Sequence, residues 1–145
     1  MYSTVEKILL LKSAPVFERV PGEDLAPLAR VAEVEVYAPD QVITREGERG
    51  DALYIIVRGR VRISHTGGEL AVLGPGETVG EMSVLDDAPR SATSTALEET
   101  EVLRIGSEEF YEILHEEVEI AEGVIRVLCD RLRKLGAQLT GSRAA

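Results

Sequence analysis

Apolar positions along the chain change period twice, from helical to alternating and back. Between Thr4 and Lys12, Val5, Ile8 and Leu9 recur at helical spacing, and Pro15 stands just beyond as a stop. Leu25, Leu28, Ala29 and Ala32 mark a second helical face, with Glu23 and Asp24 near its start, where the helix dipole favours acids. Pro27 fits a helix that starts close to Asp24 and would kink one that starts as early as Gly22.

From Val34 to Ile105 the pattern becomes short, β-branched runs broken by Gly, Pro and Asp. Strands are expected at Val34 to Tyr37, Gln41 to Arg45, Ala52 to Arg58, Arg60 to His65, Leu70 to Leu73, Ala92 to Leu97 and Glu101 to Ile105. Gly67-Gly68 between two apolar runs predicts a two-residue hairpin with positive φ at both central positions. Many short strands without intervening helices imply a sandwich or jelly roll, not alternating βαβ units.

After Ser107, an expected N-cap followed by Glu108 and Glu109, the helical period returns. Phe110, Ile113 and Leu114 form one short face. Beyond Glu116, Ala121, Ile125, Leu128, Leu132, Leu135 and Leu139 alternate by four and three residues, as a heptad seam does. Two readings of that seam stay open: a helix packed on its own β-domain, or a two-fold pairing of helices. Gly141 to Ala145 reads as a frayed tail.

Composition narrows the function. At 145 residues, 44% hydrophobic and 29% charged, the chain suits one globular domain with a single sizeable core. Sixteen basic against 26 acidic residues leave a net charge of −10, and no dense Lys/Arg cluster offsets it. That excludes the basic footprint a nucleic-acid surface needs. No apolar run approaches the about 20 residues that span a bilayer, and the N-terminus lacks a signal-peptide pattern. A cytoplasmic protein with no membrane insertion is expected. The single cysteine, Cys129, sits among Val127, Leu128 and Leu132, and is read as a buried structural thiol.

His65 and His115 are isolated, so no metal site is expected, and Asp86-Asp87 reads as a solvated loop tip. No nucleophile stands beside a base, which argues against an enzyme, and no cofactor is called for. The informative stretch is Gly80-Glu81-Met82-Ser83-Val84-Leu85-Asp86-Asp87-Ala88-Pro89-Arg90-Ser91-Ala92-Thr93. On an anionic protein, an anion must be held by local donors: the Arg90 guanidinium and the first N–H groups of a short helix over Met82 to Leu85. A carboxylate only accepts, so Glu81 beside such an anion suits a hydroxyl donor such as a ribose 2′-OH. The alternative is a structural Glu81–Arg90 ion pair closing a loop without ligand. Met82 as core filler and Ser83 or Ser91 as turn or cap residues are equally plain readings.

Residues 80–93 resemble the phosphate-binding cassette of the cyclic nucleotide-binding domain family, roughly F-G-E-L/M-A/S-L-x-x-x-x-P-R-x-A. Ile43, Gly47, Tyr54, Ile56 and Gly59 are similar to that family's framework, and Leu73, Gly74 and Gly76 to its approach to the cassette. The similarity runs from about Val5 to Leu135. Val79 departs from it, standing where an aromatic is common. The resemblance implies a mainly β protein with flanking α-helices, a β-roll or double-stranded β-helix jelly roll. The implied division is one domain over 1–145: N-terminal helices 1–33, a β-roll 34–106 with its cassette at 79–93, and two C-terminal helices in 107–140. The implied ligand is cyclic AMP or cyclic GMP. Glu81 would take the ribose 2′-OH and Arg90 the cyclic phosphate, helped by Gly80, the N–H groups of Met82, Ser83 and Ala92, and the Ser91 hydroxyl. Ile63 and Leu70 would line the base pocket, and Leu128, Leu132 or Leu135 would form a lid. The helix-turn-helix that follows this domain in bacterial regulators is not in these 145 residues, so the expected role is a regulatory module, a homodimer or a part of a larger regulated protein.

Overall fold

The computed structural model describes residues 1–140. Helix α1 spans Thr4–Ser13, opened by a capping box in which Ser3 Oγ accepts from the Glu6 N–H and the Glu6 carboxylate accepts from the Ser3 N–H. A 3₁₀ turn at Pro15–Phe17 follows, then a second at Gly22–Leu25 that runs into α2, Ala26–Val31. Pro27 therefore sits in the first turn of α2, where a missing N–H costs nothing, and no kink is needed.

Eight strands follow: β1 Glu33–Tyr37, β2 Val42–Thr44, β3 Ala52–Arg58, β4 Val61–His65, β5 Gly68–Leu73, β6 Thr78–Val79, β7 Thr93–Ala96 and β8 Thr100–Gly106. They form two four-stranded sheets, ordered β1-β8-β3-β6 and β2-β7-β4-β5, with every pairing antiparallel. This is the expected β-roll. Between β6 and β7 lies α3, Glu81–Leu85; after β8 come α4, Ser107–Glu116, and α5, Val118–Leu139.

β3 shows why one sheet is buried on both sides. Ala52, Tyr54 and Ile56 point into the roll with Val61, Val79 and Val102. Leu53 and Ile55, one residue out of phase, join Leu103 and Ile105 under the helices. There they meet Leu11, Phe17, Leu28, Phe110, Ile120 and Val124, with Phe17 and Phe110 edge-to-face at 6.2 Å. A strand covered on both faces reads as a continuous apolar run, as Ala52 to Val57 does.

The structure corrects four details. The β4–β5 register pairs His65 with Gly68, so the turn residues are Thr66 and Gly67, and only Gly68 has positive φ. The Gly67 N–H donates to His65 Nδ1 at 2.7 Å, and a Cβ on Gly67 would strike that imidazole. Ser107 is the first residue of α4 and not its cap: Gly106 holds the cap position, and the Ser107 N–H bonds the Asp51 carbonyl. Cys129 is half-buried. The heptad seam is not how α5 packs. Ile120, Gly123, Val124 and Val127 make the buried stripe, while Ile125, Leu132, Leu135 and Leu139 are exposed, Leu132 at 67%. Of the seam, Leu128 reaches the core. The expected frayed tail, Gly141 to Ala145, lies outside the described residues. Among the described residues, no helix is long and apolar enough to cross a membrane.

α5 docks closely because Gly123 leaves room: a Cβ there would lie 2.4 Å from Val20 Cγ2 and 3.1 Å from the Arg19 carbonyl oxygen. Gly123→Val is expected to destabilise by about 1–3 kcal/mol through overpacking. Gly136→Ala, on the same helix with nothing within 4 Å of the added Cβ, is expected to stabilise by about 0.5–1 kcal/mol. Thermal melts of both variants check this; a Gly123→Val melting point at or above wild type would contradict the close docking.

Candidate functional site

The cassette is built around one glycine. Gly80 caps α3 with φ +79, a left-handed conformation that turns the chain from β6 into the helix. It also has no room for a side chain, since a Cβ would lie 2.0 Å from a terminal guanidinium nitrogen of Arg90. Backbone conformation and close approach thus demand the same residue.

Arg90 lies beneath it with a side chain only 4% exposed. Its Nη1 donates to the Gly80 carbonyl at 2.9 Å and to Ser83 Oγ at 2.9 Å, and its Nη2 donates to the Ala52 carbonyl at 2.6 Å. Asp51 lies 3.6 Å from Nη2 and is itself 69% exposed. The main chain of Arg90 is held as firmly: its N–H bonds the Glu48 carbonyl at 2.7 Å, and its carbonyl accepts from Gly47 at 2.8 Å. The β2–β3 loop presses on the same spot from the other side, with Gly50 against Ser83.

A cavity of about 190 Å³ opens above this floor, lined by Thr44, Ile63, Leu73, Thr78, Val79, Gly80, Glu81, Met82, Ser83, Arg90, Ser91 and Ala92. Eight of the nine residues singled out in the sequence therefore meet at one place: Gly80, Glu81, Met82, Ser83, Arg90, Ser91, Ala92 and Ile63. The ninth, Leu70, does not. It is 54% exposed: Leu73 opposite Val61 and Ala71 opposite Ile63 share the inward face of β5, so alternation turns Leu70 outward, and the register shift between Ile63 and Ser64 leaves it without a cross-strand partner. Leu73, opposite Val61, lines the cavity instead.

Glu81 and Arg90 do not form an ion pair with each other. The Glu81 carboxylate accepts from the Thr78 hydroxyl, and Arg90 has Asp51 as its acidic neighbour. Ser83 is buried and spends its hydroxyl on Arg90 and the Gly80 carbonyl. Met82 is half-exposed and lies against α5, where Arg131 Nη1 approaches its Sδ at 3.7 Å. The N–H groups of Met82 and Ser83 belong to the first turn of α3 and have no intrahelical acceptor. Tyr111 of α4 donates its hydroxyl to the Val84 carbonyl. Burial, then Asp87 and Asp86, raise its ionisation above the usual tyrosine range, so it stays a donor.

Sequence reasoning missed Thr44 and Thr78 as lining residues and Asp51 as the neighbour of Arg90. β6 is two residues long, too short for alternation to register. The available signal was spacing: Thr78 and Glu81 flank a glycine that reverses the chain. Among the described residues, no group of three His, Cys, Asp or Glu side chains is placed to hold a metal ion.

Residues 34–117 match the family model for the cyclic nucleotide-binding domain. The chain is 34% identical over 134 residues to the cyclic AMP receptor protein of Thermus thermophilus, covering 89% of this chain and 62% of that protein. It is 35% identical over 111 residues to the cAMP-dependent protein kinase regulatory subunit of Eremothecium gossypii, covering 76% of this chain and 24% of that one. Among solved structures, the N-terminal domain of a transcriptional regulator from Streptomyces coelicolor aligns with TM-score 0.78 at 32% identity, over 90% of this chain and 94% of that one. The chain thus spans under two thirds of the Thermus receptor protein and about a quarter of the kinase subunit. With a β-roll, a glycine-capped cassette helix and an arginine buried beneath it, the chain belongs to the cyclic nucleotide-binding domain family.

Proposed function

We propose that this chain is a single, non-enzymatic sensor domain that binds cyclic AMP or cyclic GMP in the cavity over Arg90, in the cytoplasm, and passes the signal through its C-terminal helices. The observation that carries this reading is the buried Arg90 cation on a protein of net charge −10, in a cavity shared with the Glu81 acceptor. Its three hydrogen bonds go to neutral groups, and its acidic neighbour Asp51, at 3.6 Å, is largely in water, which weakens their attraction and leaves the cation able to take a further anion. A cyclic phosphate supplies a second counter-charge beside Asp51. The first-turn N–H groups of Met82 and Ser83, the Ala92 N–H and the Ser91 hydroxyl add donors, Glu81 takes the ribose 2′-OH, and Ile63 and Leu73 offer an apolar wall to the base.

The route outward is short. A phosphate drawing on Arg90 competes with Ser83 and the Gly80 carbonyl, both at the start of α3. α3 in turn touches α4 through Val84 and Tyr111, and α5 through Met82 and Arg131. Ligand biases α4 and α5 to the extent that it binds one arrangement of these contacts more tightly than another. A second reading is favoured by the exposed seam on α5: the domain pairs with a second copy, or with another part of a larger protein, through Ile125, Leu132, Leu135 and Leu139. The two roles are compatible.

Calorimetric titration with both cyclic nucleotides is expected to give micromolar or tighter binding for at least one. Arg90→Lys keeps the charge but loses the planar fork, and is expected to weaken that binding by at least about 1.4 kcal/mol, or tenfold. A folded Arg90→Lys protein with wild-type affinity would remove Arg90 from the phosphate site. For the seam, Leu132→Glu is expected to convert a dimer to a monomer in sedimentation, and an unchanged mass would count against pairing there.

A further inference from the structure

Thr78 is on β6, one residue before Val79 and opposite Ile55 of β3, so its backbone is fixed by the sheet. Its hydroxyl donates to Oε2 of Glu81, and both residues line the cavity over Arg90. The left-handed turn at Gly80 is what brings a strand residue and a helix residue three positions apart face to face. Glutamate is among the side chains that lose most rotamer freedom when held in one position, so an unrestrained Glu81 would be a poor recognition element. A carboxylate has about four acceptor sites on two oxygens. One hydroxyl donor on Oε2 therefore fixes the group while leaving acceptor capacity for a second.

We propose that Thr78 is a positioning residue for Glu81, and that selection for a ligand sugar hydroxyl depends on the Thr78 hydroxyl as well as on the carboxylate. This rests on the nucleotide reading above and adds to it a residue that makes discrimination, not affinity as such. Thr78→Val is the informative change, because it keeps the β-branched shape that suits a strand and replaces only the hydroxyl.

The test measures the affinity of wild type, Thr78→Val and Thr78→Ser for the tighter-binding of cyclic AMP and cyclic GMP and for its 2′-deoxy analogue. Wild type is expected to favour the ribose form, Thr78→Val to shrink that preference by about tenfold, the worth of one charge-assisted hydrogen bond, and Thr78→Ser to restore it. If Thr78→Val weakens both ligands alike and leaves their ratio unchanged, or if Thr78→Ser fails to restore the ratio, the positioning role is overturned while the nucleotide reading stands. Wild type that binds both sugars equally overturns the Glu81 role from which Thr78 derives its own. Wild type that binds neither cyclic nucleotide overturns the functional reading, and the Thr78 assignment with it.

Discussion

A guanidinium buried under a glycine carbonyl is the constraint on which the site depends. Removing an ion from water costs several kcal/mol even after relaxation, so Arg90 persists only because its surroundings replace the lost hydration. They do so from three parts of the chain at once: the Ala52 carbonyl at the start of β3, the Gly80 carbonyl at the cap of α3, and the Ser83 hydroxyl one turn on. Each bond to a charged group contributes about 1.5–3 kcal/mol. The arginine therefore ties the roll to the cassette, and Gly80 is confined to glycine because the guanidinium occupies the space of its Cβ.

Satisfying hydrogen bonds is not the same as cancelling charge. Carbonyl and hydroxyl dipoles compensate the N–H groups but leave the unit charge in place, and the one carboxylate paired with it, Asp51 at 3.6 Å, lies largely in solvent. The result is a buried cation on a chain of net charge −10. Screening over about 8 Å at physiological ionic strength weakens the influence of carboxylates farther away than that on this site. An acidic protein can in this way keep one buried cation where its composition offers no dense Lys/Arg cluster.

What was legible in the sequence followed from strong local rules. The apolar run of Ala52 to Val57, the Gly-rich breaks and the return of helical period at Ser107 all mark elements whose neighbours agree with them. What was not legible depended on register and on tertiary choice. Leu70 and Leu73 are equally apolar and, three positions apart on one strand, face opposite ways; the register that sets Leu73 against Val61 and Ala71 against Ile63 decides which of them lines the cavity. Likewise α5 carries two apolar stripes offset around its circumference. The heptad spacing was the more conspicuous in sequence, yet the stripe with Gly123 packs, because a glycine lets the helix approach the Arg19–Val20 backbone and a leucine would not.

On the proposed reading, that choice bears on how a signal would leave the domain. By docking through Gly123 and its neighbours, α5 leaves its seam to solvent while its Arg131 still touches the cassette helix at Met82. α4 holds the same helix through Tyr111 and Val84. A five-residue helix has too few internal hydrogen bonds to fix its own position, so α3 takes its place from what surrounds it: Arg90 below, Tyr111 and Arg131 beyond. On the proposed reading, a ligand that draws on Arg90 changes one of these restraints directly. The others then transmit the change because they attach to the same few residues, and a helix with an open apolar seam is the element on which a small displacement alters what a partner can reach.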